Sequence, residues 1–248
     1  MNSCLKNKKI KPISETEIKE RFNKKLIPKD PHWLKYAYSK NLSNEFKFLI
    51  CERLGFLGAD GWIILRELIE DYGYEDEIIY GIGLCHQIEA KDYLIDLLNS
   101  SKNFSLPILK ALNCWGAFIP NSQLKLIIKN KSADIRLAGL DLVNFKSYLL
   151  DDHELIEILN IVLSDFREEI IIKCINILQK RNSDKIIDLI SNLVISQSKK
   201  SSLSAIRALG SIGTKRSSYQ LKKLLNKIND KELVEFIKKQ ISFQEIFN

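Results

Sequence analysis

A weak repeat of about thirty residues runs through nearly the whole chain and constrains its fold more than any other feature of the sequence. The matching stretches read ICERLGFLG, YGIGLCHQI, ILKALNCWG, AGLDLVNF, CINILQKR, AIRALGSIG and IKKQISF. Each ends a short helical pattern in Leu or Ile, which places Leu54, Leu84, Leu112, Leu142, Leu178, Leu209 and Ile241 in register. The intervals between them are 30, 28, 30, 36, 31 and 32 residues. That is the period of stacked helical hairpins, in which one hairpin cannot bury its own apolar face and needs its neighbours. The expected fold class is all-α, a right-handed α-solenoid of hairpin repeats.

Apolar spacing supports helices over strands. In WIILRELIEDY the apolar residues fall at 62, 63, 64, 65, 68 and 69, and in SYQLKKLLNKI at 219, 221, 224, 225 and 228. Residues 1–13 read as a disordered basic tail, 14–43 as capping helices and 44–248 as the solenoid. Ser14 with Glu17 forms a capping box, and Pro28 and Pro31 end the helix that follows. The expected pairs are 44–57 with 62–72, 75–88 with 90–98, 104–116 with 121–129, 133–144 with 152–163, 167–180 with 183–195, and 199–212 with 217–228. A last helix over 231–241 closes the array. Gly58 and Gly61 are expected to take the backbone angles of a tight turn. Gly81, Ala111, Ala138, Gly139, Ala205 and Ala208 are expected to let successive helices approach closely. The 36-residue interval holds a longer connection, KSYLLDD, expected to alter the local curvature.

Composition excludes several classes. No run approaches the length of apolar residues a membrane span needs, and no apolar segment follows the charged start MNSCLKNKKIKP, so a cytoplasmic protein is expected. Cys4, Cys51, Cys85, Cys114 and Cys174 are far apart, and four of them sit among apolar helical residues, as free thiols do in a reducing compartment. With no CxxC pair and only His32, His86 and His153, a metal site is not expected. The sequence has no GxSxG elbow, phosphate loop, dinucleotide fingerprint or HExxH. The net charge of +7 is uneven. Residues 1–31 carry nine bases and four acids, 52–99 carry eleven acids against Arg53, Arg66 and Lys91, and 197–240 carry eleven bases against Asp230, Glu232 and Glu235. Such a distribution suits a protein partner or a mixed-charge ligand better than a continuous nucleic-acid track.

The sharpest local feature is the run Glu70-Asp71-Tyr72-Gly73-Tyr74-Glu75-Asp76-Glu77. Its acids lie near a helix start, where the helix dipole favours negative charge, so a solvated acidic turn accounts for it. Read functionally, an Asp or Glu of this run holds a cationic group or moves a proton while Tyr72 or Tyr74 stacks on a conjugated ring. Cys85 is expected to pack inward, and His86, its neighbour on a helix, to be a partly exposed imidazole suited to proton exchange. Trp62 and Trp115 read as ridge residues or as an aromatic wall for a flat ligand. Arg53 and Arg66, like other arginines scattered over successive repeats, read either as partners of acids on neighbouring repeats or as carboxylate ligands.

The stretch RLGFLGADGWIILRELIEDYGYEDEIIYGIGLCHQIEAKDYLIDLL resembles two successive HEAT-like repeats of the phycobilisome lyases, the E/F-type phycobilin lyases. The resemblance rests on Leu54-Gly55 with Gly58, on Ile82-Gly83-Leu84 and on leucines 94, 97 and 98, and SLSAIRALGSIG repeats the same A-x-x-A-L-G-x-x-G cadence. At the level of the repeat it covers about 44–241. It implies HEAT-like repeats and a lyase, lyase subunit or chaperone-like factor that assists attachment of a linear tetrapyrrole to a phycobiliprotein cysteine. The phycobilin would be a substrate rather than a permanent cofactor, and the partners a phycobiliprotein α or β subunit and, for some members, a second lyase subunit. On that reading Asp71, Asp76 and His86 handle protons, while Arg53, Trp62, Arg66, Tyr72, Tyr74 and Trp115 hold the pigment. A non-enzymatic adaptor of the same architecture is the alternative, with a nucleic-acid-binding helical repeat behind it.

Overall fold

The computed structural model describes residues 13–23, 28–100, 104–115 and 119–247. Among them are fifteen α-helices and no strand. The chain divides into two compact units, Met1–Ala117 and Phe118–Asn248.

The first unit contains α1 (Glu15–Asn23), α2 (Pro31–Ala37), α3 (Asn44–Gly55), α4 (Ala59–Tyr72), α5 (Asp76–Leu84), α6 (Ile88–Ser100) and α7 (Leu106–Trp115). Here α3, α5 and α7 pack side by side in one layer. Helices α2 and α4 pack together against it, and α6 lies on α5 and α7. Glycine makes the first layer thin. A Cβ on Gly81 would lie 2.6 Å from the Cys51 carbonyl oxygen of α3, and one on Gly83 would lie 2.7 Å from the Cα of Ala111 on α7. The backbones of these helices therefore touch where side chains would ordinarily hold them apart.

The second unit contains α8 (Asn121–Ile128), α9 (Ala133–Lys146), α10 (Asp152–Asn160), α11 (Glu168–Leu178), α12 (Asp184–Ser196), α13 (Lys199–Ile212), α14 (Lys215–Leu225) and α15 (Lys231–Phe247). The same alternation holds: α9, α11, α13 and α15 form one layer, and α8, α10, α12 and α14 the other. Asp151 and Glu154 make a reciprocal capping box at α10, and Thr214 with Ser217 does so at α14. Gly213 ends α13 in the left-handed conformation, φ 67°. The residues added in the long interval form a 3₁₀ turn, Ser147–Leu149, before α10. Arg181 fastens that turn by donating to the carbonyls of Ser147 and Leu150. No described helix is long and apolar enough to cross a membrane.

The repeat anchors are core residues. Leu54, Leu112, Leu142, Leu178 and Leu209 are wholly buried, Ile241 is buried, and Leu84 at the end of α5 is half-buried. Ser14 Oγ accepts the Glu17 amide, one of the two bonds of the expected capping box. Residues 1–12 of the expected tail lie outside the described residues.

Several local expectations need correction. Helix α4 starts at Ala59, so Gly61 is helical and serves close approach: its added Cβ would fall 1.8 Å from the Leu54 carbonyl oxygen. Gly58 does take a turn conformation, φ 63°. Helix α5 stops at Leu84, so Cys85 and His86 do not share a helix with it as neighbours; His86 has φ 50°, a left-handed angle rare outside glycine. Glu77 is not part of a solvated acidic turn, because it points into the core and is 5% exposed. The last helix runs six residues past 241, to Phe247.

Candidate functional site

Trp62, Arg66 and Glu70 follow one another at successive turns of α4 and so share one face. Tyr93 of α6 meets that face. Its ring stands edge-on to Trp62, with centroids 5.5 Å apart, and the Arg66 guanidinium lies 5.7 Å from the centre of the Trp62 ring. Tyr74, in the connection from α4 to α5, hydrogen-bonds with the Tyr93 hydroxyl. Burial, then that hydrogen bond, pushes the Tyr93 phenol up to about 12, with Glu70 acting in the same direction and Arg66 against it. Trp62 is 9% exposed and gives the cluster a fixed base, whereas Tyr74 is 63% exposed and Arg66 is also open to solvent. The arrangement offers aromatic faces, phenol hydroxyls and one accessible cation. It can hold a flat group carrying a carboxylate. It holds no nucleophile.

Three of the nine sequence-predicted site residues, Trp62, Arg66 and Tyr74, thus come together. The others have separate surroundings. Asp71 and Glu67 together grip Lys35 of α2, at 3.3 and 3.0 Å, so the Asp71 carboxylate already has a cationic partner. Tyr72 packs edge-on against Tyr38, centroids 4.9 Å apart, and donates to the Tyr38 carbonyl at 3.3 Å. Arg53 Nε donates to the Pro28 carbonyl at 2.6 Å, tying down the segment ahead of α2. Asp76 borders a groove of about 190 Å³ with Phe48, Tyr80, Pro107 and Lys110. His86 is exposed and leans on Trp115, ring centroids 5.4 Å apart. The indole nitrogen of Trp115 is buried and has no hydrogen-bond partner among the described residues.

Sequence reasoning missed Tyr93 and the buried pair Tyr38–Glu77. The signal for Tyr93 was present, since it follows Trp62 by 31 residues, one period, on the next second-of-pair helix. Tyr38 donates its hydroxyl to Glu77 Oε1 at 2.6 Å, and Lys47 Nζ lies 4.0 Å from the same oxygen. Burial, then the Glu77 hydrogen bond, holds the Tyr38 phenol far above its ordinary value. At 3% and 5% exposure the pair is closed to any ligand and acts as an internal clasp between the end of α2 and α5.

Three of the four described thiols are enclosed as well, and the fourth, Cys114, is half-buried. Burial pushes Cys85 and Cys174 up to about 12 and raises Cys51 well above the usual range, so all three stay protonated at neutral pH. Among the described residues no group of three or more His, Cys, Asp or Glu side chains can share a metal ion.

No family model matches the chain, and no curated protein matches it. Among solved structures it is similar to human deoxyhypusine hydroxylase in complex with glycerol, at 12% identity and a TM-score of 0.42, over 87% of this chain and 84% of that one.

Proposed function

We propose that the chain is an assisting factor for attachment of a linear tetrapyrrole to a phycobiliprotein cysteine, working as a lyase subunit or chaperone and not as an autonomous catalyst. The observation that carries this reading is the Trp62–Arg66–Tyr74–Tyr93 cluster, and the repeat resemblance adds to it. A bilin is flat and conjugated and bears propionates. Its rings would lie against Tyr74 and the exposed edges of Tyr93, with a propionate on the Arg66 guanidinium. The acceptor thiol belongs to the phycobiliprotein. Of the chain's own described thiols, Cys51, Cys85 and Cys174 are buried and Cys114 is half-buried with its thiol raised by burial, which suits a protein that orients reactants without forming an adduct itself. Holding pigment and acceptor together would raise their effective concentration and restrict which face and which carbon the thiol reaches.

The test is to mix the purified protein with phycocyanobilin or phycoerythrobilin, with and without candidate apo-phycobiliprotein subunits, and record visible absorption before and after denaturation. A bilin spectrum shifted by the protein and weakened about tenfold in affinity by Arg66→Ala is the expected result, about 1.4 kcal/mol of lost binding. A denaturation-resistant colour that needs the apo-subunit but no second lyase chain would show autonomous lyase activity and overturn the assisting role. Absence of any spectral change with every bilin would reject the reading and leave a helical-repeat adaptor.

A further inference from the structure

The second unit has a groove of about 200 Å³ between α12 and α14, built quite differently from the aromatic cluster of the first. Its floor is a closed polar network. Arg216 grips Asp188 through both carboxylate oxygens, at 2.9 and 2.7 Å, and Gln220 Nε2 donates to Asp188 at 2.6 Å. Ser191 donates in turn to the Gln220 carbonyl oxygen at 3.3 Å, and both of these side chains are buried. The groove's own carboxylate is thereby neutralised. Its wall keeps two exposed bases, Lys223 on α14 and Lys227 in the turn just past it; Lys223 adds to the field on Asp188, and neither lysine forms an ion pair or side-chain hydrogen bond with a described residue. Other bases nearby are engaged. Lys199 pairs with Asp230 and Glu232, Lys222 with Glu245, and Arg216 with Asp188. Opposite the two lysines the groove presents Ile195, 54% exposed.

We infer that this groove docks an acidic peptide segment of a partner protein, with carboxylates on Lys223 and Lys227 and an apolar side chain on Ile195. Charge complementarity identifies the occupant. Two exposed ammonium groups on one wall of the groove suit the acidic side chains of a peptide. A polynucleotide would need a continuous row of cations, whereas this groove offers two, Lys223 and Lys227, its Arg216 being held by Asp188. An apolar contact beside the charges serves a peptide side chain and gives nothing to a phosphate backbone. The inference does not depend on pigment binding by the first unit.

The experiment uses the full chain and a short fluorescein-labelled peptide of repeating Glu-Glu-Leu, followed by fluorescence anisotropy. Binding is expected, with affinity falling as salt rises. Lys223→Glu with Lys227→Glu should weaken it at least about tenfold, and a Gln-Gln-Leu peptide should bind as weakly as the double variant does. Ile195→Ser should lower affinity without changing the salt dependence, a result that simple charge attraction does not give. Lys185→Glu with Lys200→Glu, at the starts of α12 and α13 and outside the groove, matches the overall change in charge, and helical circular dichroism confirms that each variant is folded. Equal binding by the double variant, or tighter binding of a single-stranded oligonucleotide than of the peptide at the same salt, would overturn the inference.

Discussion

Glu77 belongs to the acidic run 75–77, yet it alone of the three turns inward. It lies one turn ahead of Gly81, the residue whose missing side chain lets α5 touch α3, so it shares the packed face of its helix. A carboxylate there needs partners, and Tyr38 and Lys47 supply them. Removing the hydroxyl in Tyr38→Phe should cost about 1–3 kcal/mol, measured as a lower urea midpoint at neutral pH. The same change in a Glu77→Gln background should cost less, because a neutral acceptor loses less than a charged one. Equal costs in both backgrounds would mean that the hydroxyl and the carboxylate are not coupled. The sequence marked this stretch as acidic but gave no warning of which acid faced inward, because that depends on where α5 begins. The same boundary decides the fate of Asp71: it sits at the end of α4, close enough to Lys35 of α2 to be held by it. Trp62, Arg66 and Tyr74 were legible because two of them follow helical spacing along α4 and the third lies in the turn beside it.

Elements were easier to read than their ends. Periodic apolar residues located every helix of the array, whereas of the two glycines expected in one turn only Gly58 is there: Gly61 lies inside α4, where it accommodates the Leu54 carbonyl. A glycine reports either a special backbone angle or a close approach, and the sequence alone does not separate the two. The distinction has a measurable consequence. Gly83→Ala would set a methyl 2.7 Å from the Ala111 backbone of α7, which can yield only if the helices separate. Gly210→Ala of α13 would meet the Gln240 side chain instead, whose nearest atom is its flexible end. The first substitution should therefore destabilise by about 1–3 kcal/mol or more. The second should be near neutral, since alanine favours the helix by about 1 kcal/mol. Thermal melts of the two variants check the difference, and similar melting temperatures would contradict the close α5–α7 approach.

Across the molecule the repeat period sets which residues meet. Arg136 pairs with Asp165 and Lys125 with Glu157, while Arg216 reaches Asp188, each about one period away. The sequence reading anticipated arginines bridging to neighbouring repeats, but partner choice escaped it because both repeat length and helix rotation enter. Burial of the thiols follows from the same layering, and it couples both units to pH. Cys85 lies in the first unit and Cys174 in the second, and each has a folded value near 12 against an ordinary 9.0. A raised value means that the fold favours the protonated thiol. This contribution is fully present below pH 9 and is lost as pH rises from there toward 12. Over that window each thiol that ionises only in the unfolded chain lowers stability by about 1.4 kcal/mol per pH unit. Lys35 and Lys199, whose values are raised by Glu67 and Glu232, act in the same direction at higher pH. Urea midpoints should accordingly hold steady from neutral pH to about 9 and then fall. Cys85→Ala with Cys174→Ala should lower the neutral midpoint slightly, through the small cavities left behind, and flatten the fall between about pH 9 and 10.5. An unchanged slope in that variant would show that these thiols are already ionised or exposed in the folded protein, contrary to their place between the layers.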